Sequence, residues 1–245
     1  MRLAIFAAFP HELRRLLGRL RPERTLRRRP FTLSFIKRPP FEIIAVQTGM
    51  GTGNAEAALR YVLNAHGPDF VLSLGFGGAL YDGAAAGDLV WASRVGIISG
   101  DRETSFLELP AAGELASRLS EKVAMREGCI ITLESRTTKA EIRRRLSGAL
   151  HSPVCDMETF HLATLALRQG IPFFAVRAIT DLSDEDVPGE LFGVSDASGR
   201  YRLSRALCLF LRNPGLVPAA IRLGRCSATA SENLWLAANA LIESL

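Results

Sequence analysis

PVCDMETFHLATLALRQGIPFFAVRAITD, residues 153 to 181, is a strand, a helix and a strand in immediate succession. Apolar residues recur at helical spacing through FHLATLAL, Gly170 stops the helix, and PFFAVRAIT is an apolar run of strand length. Such a run, with no polar alternation, is the pattern of a strand covered on both faces, as in a parallel sheet flanked by helices. Two carboxylates flank the pattern without serving its apolar packing. Glu158 opens the helix, where the helix dipole would also welcome it. Asp181 ends the strand, where an N-cap to the next helix is the plain structural alternative.

The same alternation extends outward in both directions. A strand at 2 to 8 precedes a helix from about Pro10 to Leu20, with proline suited to its first turn. FTLSFIK (31 to 37) and FEIIAVQ (41 to 47) read as antiparallel strands, followed by TGMGTGN, the helix AEAALRYVLNAHG and the strand DFVLSLG. GFGGAL follows, then a long strand at 87 to 99, a helix near 110 to 127 and the strand CIITL (129 to 133). The polar loop ESRTT leads to the helix KAEIRRRLSGAL, and helices return after Arg200. With no Gly/Ser linker and no internal repeat, residues 1–245 read as one α/β domain, three-layer αβα, around a mostly parallel or mixed twisted sheet. Ligands in such sheets collect at the carboxyl ends of the strands.

Composition narrows the classes. At 48% hydrophobic and 22% charged residues, 245 residues can bury a full core. The apolar run LAIFAAF (3 to 9) is too short to span a membrane, and Pro10, His11 and Glu12 replace the cleavage site a signal peptide needs. Four cysteines without CxxC or metal spacing read as reduced thiols, so a cytoplasmic protein without metal is expected. Eight arginines between Arg14 and Arg29 read as a solvated helix face and loop. No aromatics interleave there as a base-stacking surface requires, so no nucleic-acid partner is expected. Peripheral contact between the basic segments and a membrane stays open.

GMGTGN misses the dinucleotide fingerprint by one residue, and no P-loop, HExxH or GxSxG motif is present. The glycines of GFGGAL let a ligand approach the backbone closely. Four scattered histidines read as structural. Glu12, just beyond the carboxyl end of the first strand, adds a third carboxylate to Glu158 and Asp181. Three carboxylates from three strand ends suit a polyol or sugar, one accepting hydroxyl hydrogen bonds, one activating water and one protonating a leaving group.

IFAAFPHEL, TGMGTGNAEAAL, LGFGGALYDGAAAGDLV, and CDMETFHLA followed by RAITDLSD together resemble the nucleoside phosphorylase and nucleosidase superfamily, most closely its methylthioadenosine/S-adenosylhomocysteine nucleosidase branch. The resemblance implies hydrolysis of the N-glycosidic bond of a purine-type, 5′-modified nucleoside, without cofactor, by a homodimer. By its pattern Glu158 would hold the ribose hydroxyls and Met157 would pack on the sugar. Asp181 would be the general acid and Glu12 would help activate water. Phe76 and Gly77 would lie near sugar and base, while Phe9 and Met50, with Leu191 or Phe192, would line an apolar 5′ pocket. Residues 132 to 137 fall where the family holds the base, but carry no aromatic to stack on it. Arg177 is close in sequence to Asp181 and could oppose its protonation. Glu12, Ser73 and Phe76 stand where the family's phosphorylases place phosphate-binding cations and a hydroxyl, which favours water over phosphate. A phosphorylase, and a non-catalytic nucleoside-binding protein of the same fold, are the alternatives. Methylthioadenosine fits such a pocket, and futalosine-type nucleosides and adenosyl-lipids, handled by related hydrolases, stay open.

Overall fold

The computed structural model describes residues 1–100, 104–110, 112–135, 137–146, 150–192 and 203–245. The chain runs β1 (Arg2–Ala7), α1 (Pro10–Leu20), β2 (Arg24–Arg28), β3 (Phe31–Arg38), β4 (Phe41–Gln47), α2 (Thr52–His66) and β5 (Phe70–Ala79). It continues with β6 (Leu89–Ile98), β7 (Ser105–Glu108), α3 (Ala112–Ser120), β8 (Arg126–Leu133), α4 (Lys139–Arg145) and β9 (Val154–Asp156). The remainder is α5 (Thr159–Arg168), β10 (Phe173–Asp181), α6 (Gly189–Phe192), α7 (Leu203–Arg212), a 3₁₀ turn (Pro214–Leu216) and α8 (Val217–Ser244).

The strands join one sheet in the order β10-β6-β8-β9-β5-β1-β4-β3-β2, with β7 beside β6. β10 also pairs with β5, so β5, β10, β6, β8 and β9 close on themselves. The sheet is mixed, one of the two forms expected from the sequence: β1–β4, β1–β5, β5–β10, β6–β8 and β8–β9 run parallel, and the other pairings are antiparallel. β1, β5 and β10 are buried almost throughout, as their unbroken apolar runs require. Phe6, Ile5, Leu72 and Phe174 are among the largest fully buried side chains, each contributing about 1.5–3 kcal/mol of transfer free energy. Helix α2 turns Ala55, Ala58, Leu59 and Val62 inward at i, i+3, i+4 and i+7. It packs with α5, whereas α1 and α3 pack with α8.

Two expectations from the sequence need correction. Helix α1 does present arginines to solvent, but Arg24–Arg28 is not loop; it is the edge strand β2, exposed at every residue and paired antiparallel with β3. Charge on an edge strand discourages pairing with another chain. The helix expected near 110 to 127 covers only Ala112–Ser120, because Arg126 already begins β8.

Candidate active site

The parallel strands β1, β4, β5 and β10 bring their carboxyl ends to one edge. Glu12 sits there, 4% exposed, in the first turn of α1. Its Oε2 accepts the N–H of Phe9 at 2.7 Å, the carboxylate half of a capping box. Its Oε1 accepts the N–H of Phe76 on β5 at 2.8 Å. A pure cap would need only the first bond, so Glu12 is aimed across the strand ends as well. Burial pushes its carboxyl up to about 7, against the opposing pull of those two N–H groups and Arg177.

Glu158 is the N-cap residue of α5 yet makes no side-chain cap bond. That task falls to Asp156, whose Oδ2 accepts the N–H of Thr159 at 3.1 Å. Glu158 is thereby released to reach Gly51, whose N–H it accepts at 2.7 Å. Gly51 has φ +99°, a left-handed backbone that glycine adopts freely, and this turns its N–H toward Glu158. The acceptor held at the start of α2 is thus one of the chain's own carboxyl groups. Burial, and next the negative charge of Asp156, push the Glu158 carboxyl up to about 8.

Between them lies a cavity of about 20 Å³ lined by Glu12, Glu158, Arg177, Thr48, Ser73 and Phe76 among others. That is room for about one water molecule, in polar surroundings that can bind it. Arg177 is part of that lining, and its donors are spent inside the protein. Nε and Nη2 reach Asp156 Oδ2 at 3.1 and 2.7 Å, and Nη2 also bonds Ser73 Oγ and Thr159 Oγ1. Nη1 bonds the carbonyls of Ser73 and Val176. Asp156 is completed by Thr132 Oγ1 at 2.7 Å. A guanidinium so occupied has no N–H left for an incoming anion.

Asp181 lies outside that cavity, at the end of β10 against Gly78 of β5. It is no helix N-cap. The cation beside it is Lys139, not Arg177: Lys139 Nζ stands 2.6 Å from Asp181 Oδ2, with the two side chains 7% and 15% exposed. Lys139 also donates to the carbonyls of Asp181 and Leu182, and Thr180 Oγ1 donates to Asp181 Oδ1 at 2.9 Å. A Cβ on Gly78 would overlap Asp181 Oδ2 and crowd Lys139, so glycine is what lets this pair approach the strand. Cys155, next to the pair, has its thiol pushed up to about 12 by burial, which leaves it a poor nucleophile.

The remaining predicted positions are distributed around the two centres. Phe9 stacks on His11 with centroids 5.2 Å apart, and His11 meets Phe76 at 5.1 Å, an aromatic ladder that ends on the cavity-lining Phe76. Burial and nearby Arg14 lower His11 to about 4, so the ladder is uncharged at neutral pH. Met50 and Met157, the chain neighbours of Gly51 and Glu158, are half-buried. Gly77 faces β9, where a side chain would collide with Val154. Leu191 is buried in α6, while the side chain of Phe192 and residue 136 of the expected base loop lie outside the described residues. Lys139, Asp156 and His11 carried no functional weight in the sequence. The only hint of Asp156 was its adjacency to Met157 and Glu158.

Two expected results follow from these geometries. Arg177 and Asp156 are 3% and 2% exposed, so Arg177→Met leaves a buried carboxylate without its cation and should cost about 3–5 kcal/mol, read from urea unfolding. The raised Glu12 and Glu158 carboxyls, at about 7 and about 8 against 4.5 ordinarily, mean that the folded state binds more protons than the unfolded chain in between. Their stabilisation is complete below about pH 4.5 and is lost as pH rises through 7 to 8. Melting temperatures should therefore fall over this range in the wild type and fall less in Glu158→Gln.

The chain belongs to the phosphorylase superfamily, whose family model matches residues 2–212. This bears out the resemblance carried by the sequence motifs. It is 25% identical to 5′-methylthioadenosine/S-adenosylhomocysteine nucleosidase of Staphylococcus aureus over 159 residues, 58% of this chain and 70% of that protein. Among solved structures, the corresponding nucleosidase of Neisseria meningitidis, in complex with methylthio-immucillin-A, matches with a TM-score of 0.74 at 17% identity, covering 100% of this chain and 99% of that one. The futalosine hydrolase of Helicobacter pylori matches at 0.73 and 16% identity, covering 100% and 98%. These structural likenesses define the fold.

Proposed function

We propose that the protein hydrolyses the N-glycosidic bond of a purine-type nucleoside with an apolar 5′ group. The observation that carries this reading is the water-sized polar cavity lined by Glu12, Glu158 and an arginine whose donors are all engaged. Relatives named as nucleosidase and futalosine hydrolase support the same choice. In the proposed reaction Glu12 takes a proton from water as its oxygen bonds to the anomeric carbon. The electron pair of the carbon–nitrogen bond passes to the base, which is protonated from the Lys139–Asp181 pair. Glu158 accepts hydrogen bonds from the ribose hydroxyls, with Met157 against the sugar. Stabilising the departing base and placing the nucleophile are where such a transition state gains most. The aromatic ladder of Phe9, His11 and Phe76, with Met50 opposite, would give the base and 5′ group an apolar wall in place of an aromatic in the 132 to 137 loop.

The superfamily match keeps a phosphorylase as the second reading. A panel of adenosine- and inosine-type nucleosides with 5′ groups of increasing apolar size, assayed for free base by chromatography, tests the proposal. Release should increase with 5′ apolarity. Equal release from unmodified nucleosides would remove the 5′ assignment, and no release from any member would remove the enzymatic reading.

A further inference from the structure

We infer that α7 and the outer half of α8 form a docking surface for an anionic lipid bilayer. In α7 the side chains described, 205 to 212, include Leu207, Leu209, Phe210 and Leu211, and none is buried. Leu207 is 62% exposed, Leu211 76%, and Ile221 on the following helix 53%. Leu207 and Leu211, and Ala206 and Phe210, are each four residues apart, so they form one apolar stripe. Arg205 and Arg212, seven apart, fall together on the opposite side.

From Leu203 to Ser231 the sequence contains four arginines and no acidic residue. A protein partner would have to supply both an apolar groove and a purely acidic rim. An anionic bilayer offers both at once, acyl chains under the leucines and phosphates at the arginines. No single described helix is long and apolar enough to span a bilayer. The segments Arg205–Arg212 and Pro214–Ser244 qualify only together, bent by 113°. The inner half of α8 is anchored in the core through Ala230, Leu234, Trp235 and Leu241, so the outer half projects from a helix rooted in the protein, as an interfacial role requires. Arg222 also contacts Glu185, which ties this surface to the loop that follows Asp181. The inference does not depend on what that site hydrolyses.

Sedimentation of the full chain with vesicles of phosphatidylcholine alone, or mixed with phosphatidylglycerol, tests it. Wild type should pellet with the mixed vesicles at low salt, with a preference over neutral ones of about tenfold or more that shrinks as salt is raised. Leu207→Glu/Leu211→Glu should stay in the supernatant while melting like wild type. If that variant does not fold, Arg212→Gln/Arg225→Gln should show a severalfold weaker preference for anionic vesicles. Wild type that never pellets overturns the inference. So does pelleting that survives the leucine changes but is lost on replacing Arg27 and Arg28, which would assign binding to the edge strand. Dimers that the leucine changes split, without vesicle binding, would assign the face to a second copy.

Discussion

Asp181→Asn is expected to lower kcat by about 100- to 10,000-fold while leaving nucleoside affinity within a few-fold, because an amide keeps the shape and cannot take the proton from Lys139 and pass it to the base. The substitution also removes the countercharge of Lys139, which is 7% exposed, and should destabilise the fold by up to about 3 kcal/mol. These two losses can be separated. Adding Lys139→Met to Asp181→Asn removes the stranded ammonium, so the double variant should recover stability without recovering turnover. Recovery of both would mean that Asp181 serves the fold and not the leaving group. Retention of full activity in the single variant would contradict its role directly.

Glu12→Gln should lower kcat by about 100-fold or more, and its pH profile should be diagnostic. The ionised carboxylate is the proposed base, and burial places its titration near 7. In wild type, kcat/KM should therefore rise with pH through about 7 and then level. The variant should lose that limb. Because both oxygens of Glu12 accept backbone N–H groups, from Phe9 and Phe76, the glutamine must turn an NH₂ toward one of them and should lose about 1–3 kcal/mol of stability. An unchanged acidic limb in Glu12→Gln would assign it to another group.

The parts of this molecule that were legible in its sequence are those that local physics determines. β1 with α1, α2, and the α5–β10 unit follow from apolar periodicity and from Pro10, Gly67 and Gly170 as punctuation. Glu12, Glu158 and Asp181 stood out because each ends a strand or opens a helix with a carboxylate. What was hidden depends on distant partners. The closure of β5, β10, β6, β8 and β9 has no local signature, since β10 finds β5 about a hundred residues away. β2 was obscured because its arginines follow neither a helical nor an alternating pattern; its pairing with β3 makes it a strand. Lys139 looks in sequence like any solvated lysine at a helix start. Only the approach of α4 to the end of β10 makes it the neighbour of Asp181. Arg177 misled for the converse reason: four residues along a strand separate it from Asp181, while its guanidinium turns to Asp156.

The central claim is that water, held between Glu12 and Glu158, is the nucleophile. The most direct measurement is the product analysis of one 5′-modified purine nucleoside in phosphate-free buffer, and again with phosphate added. Free base and free reducing sugar should form in equal amounts, at a rate phosphate does not raise. Base release that requires phosphate and yields a sugar 1-phosphate would contradict it.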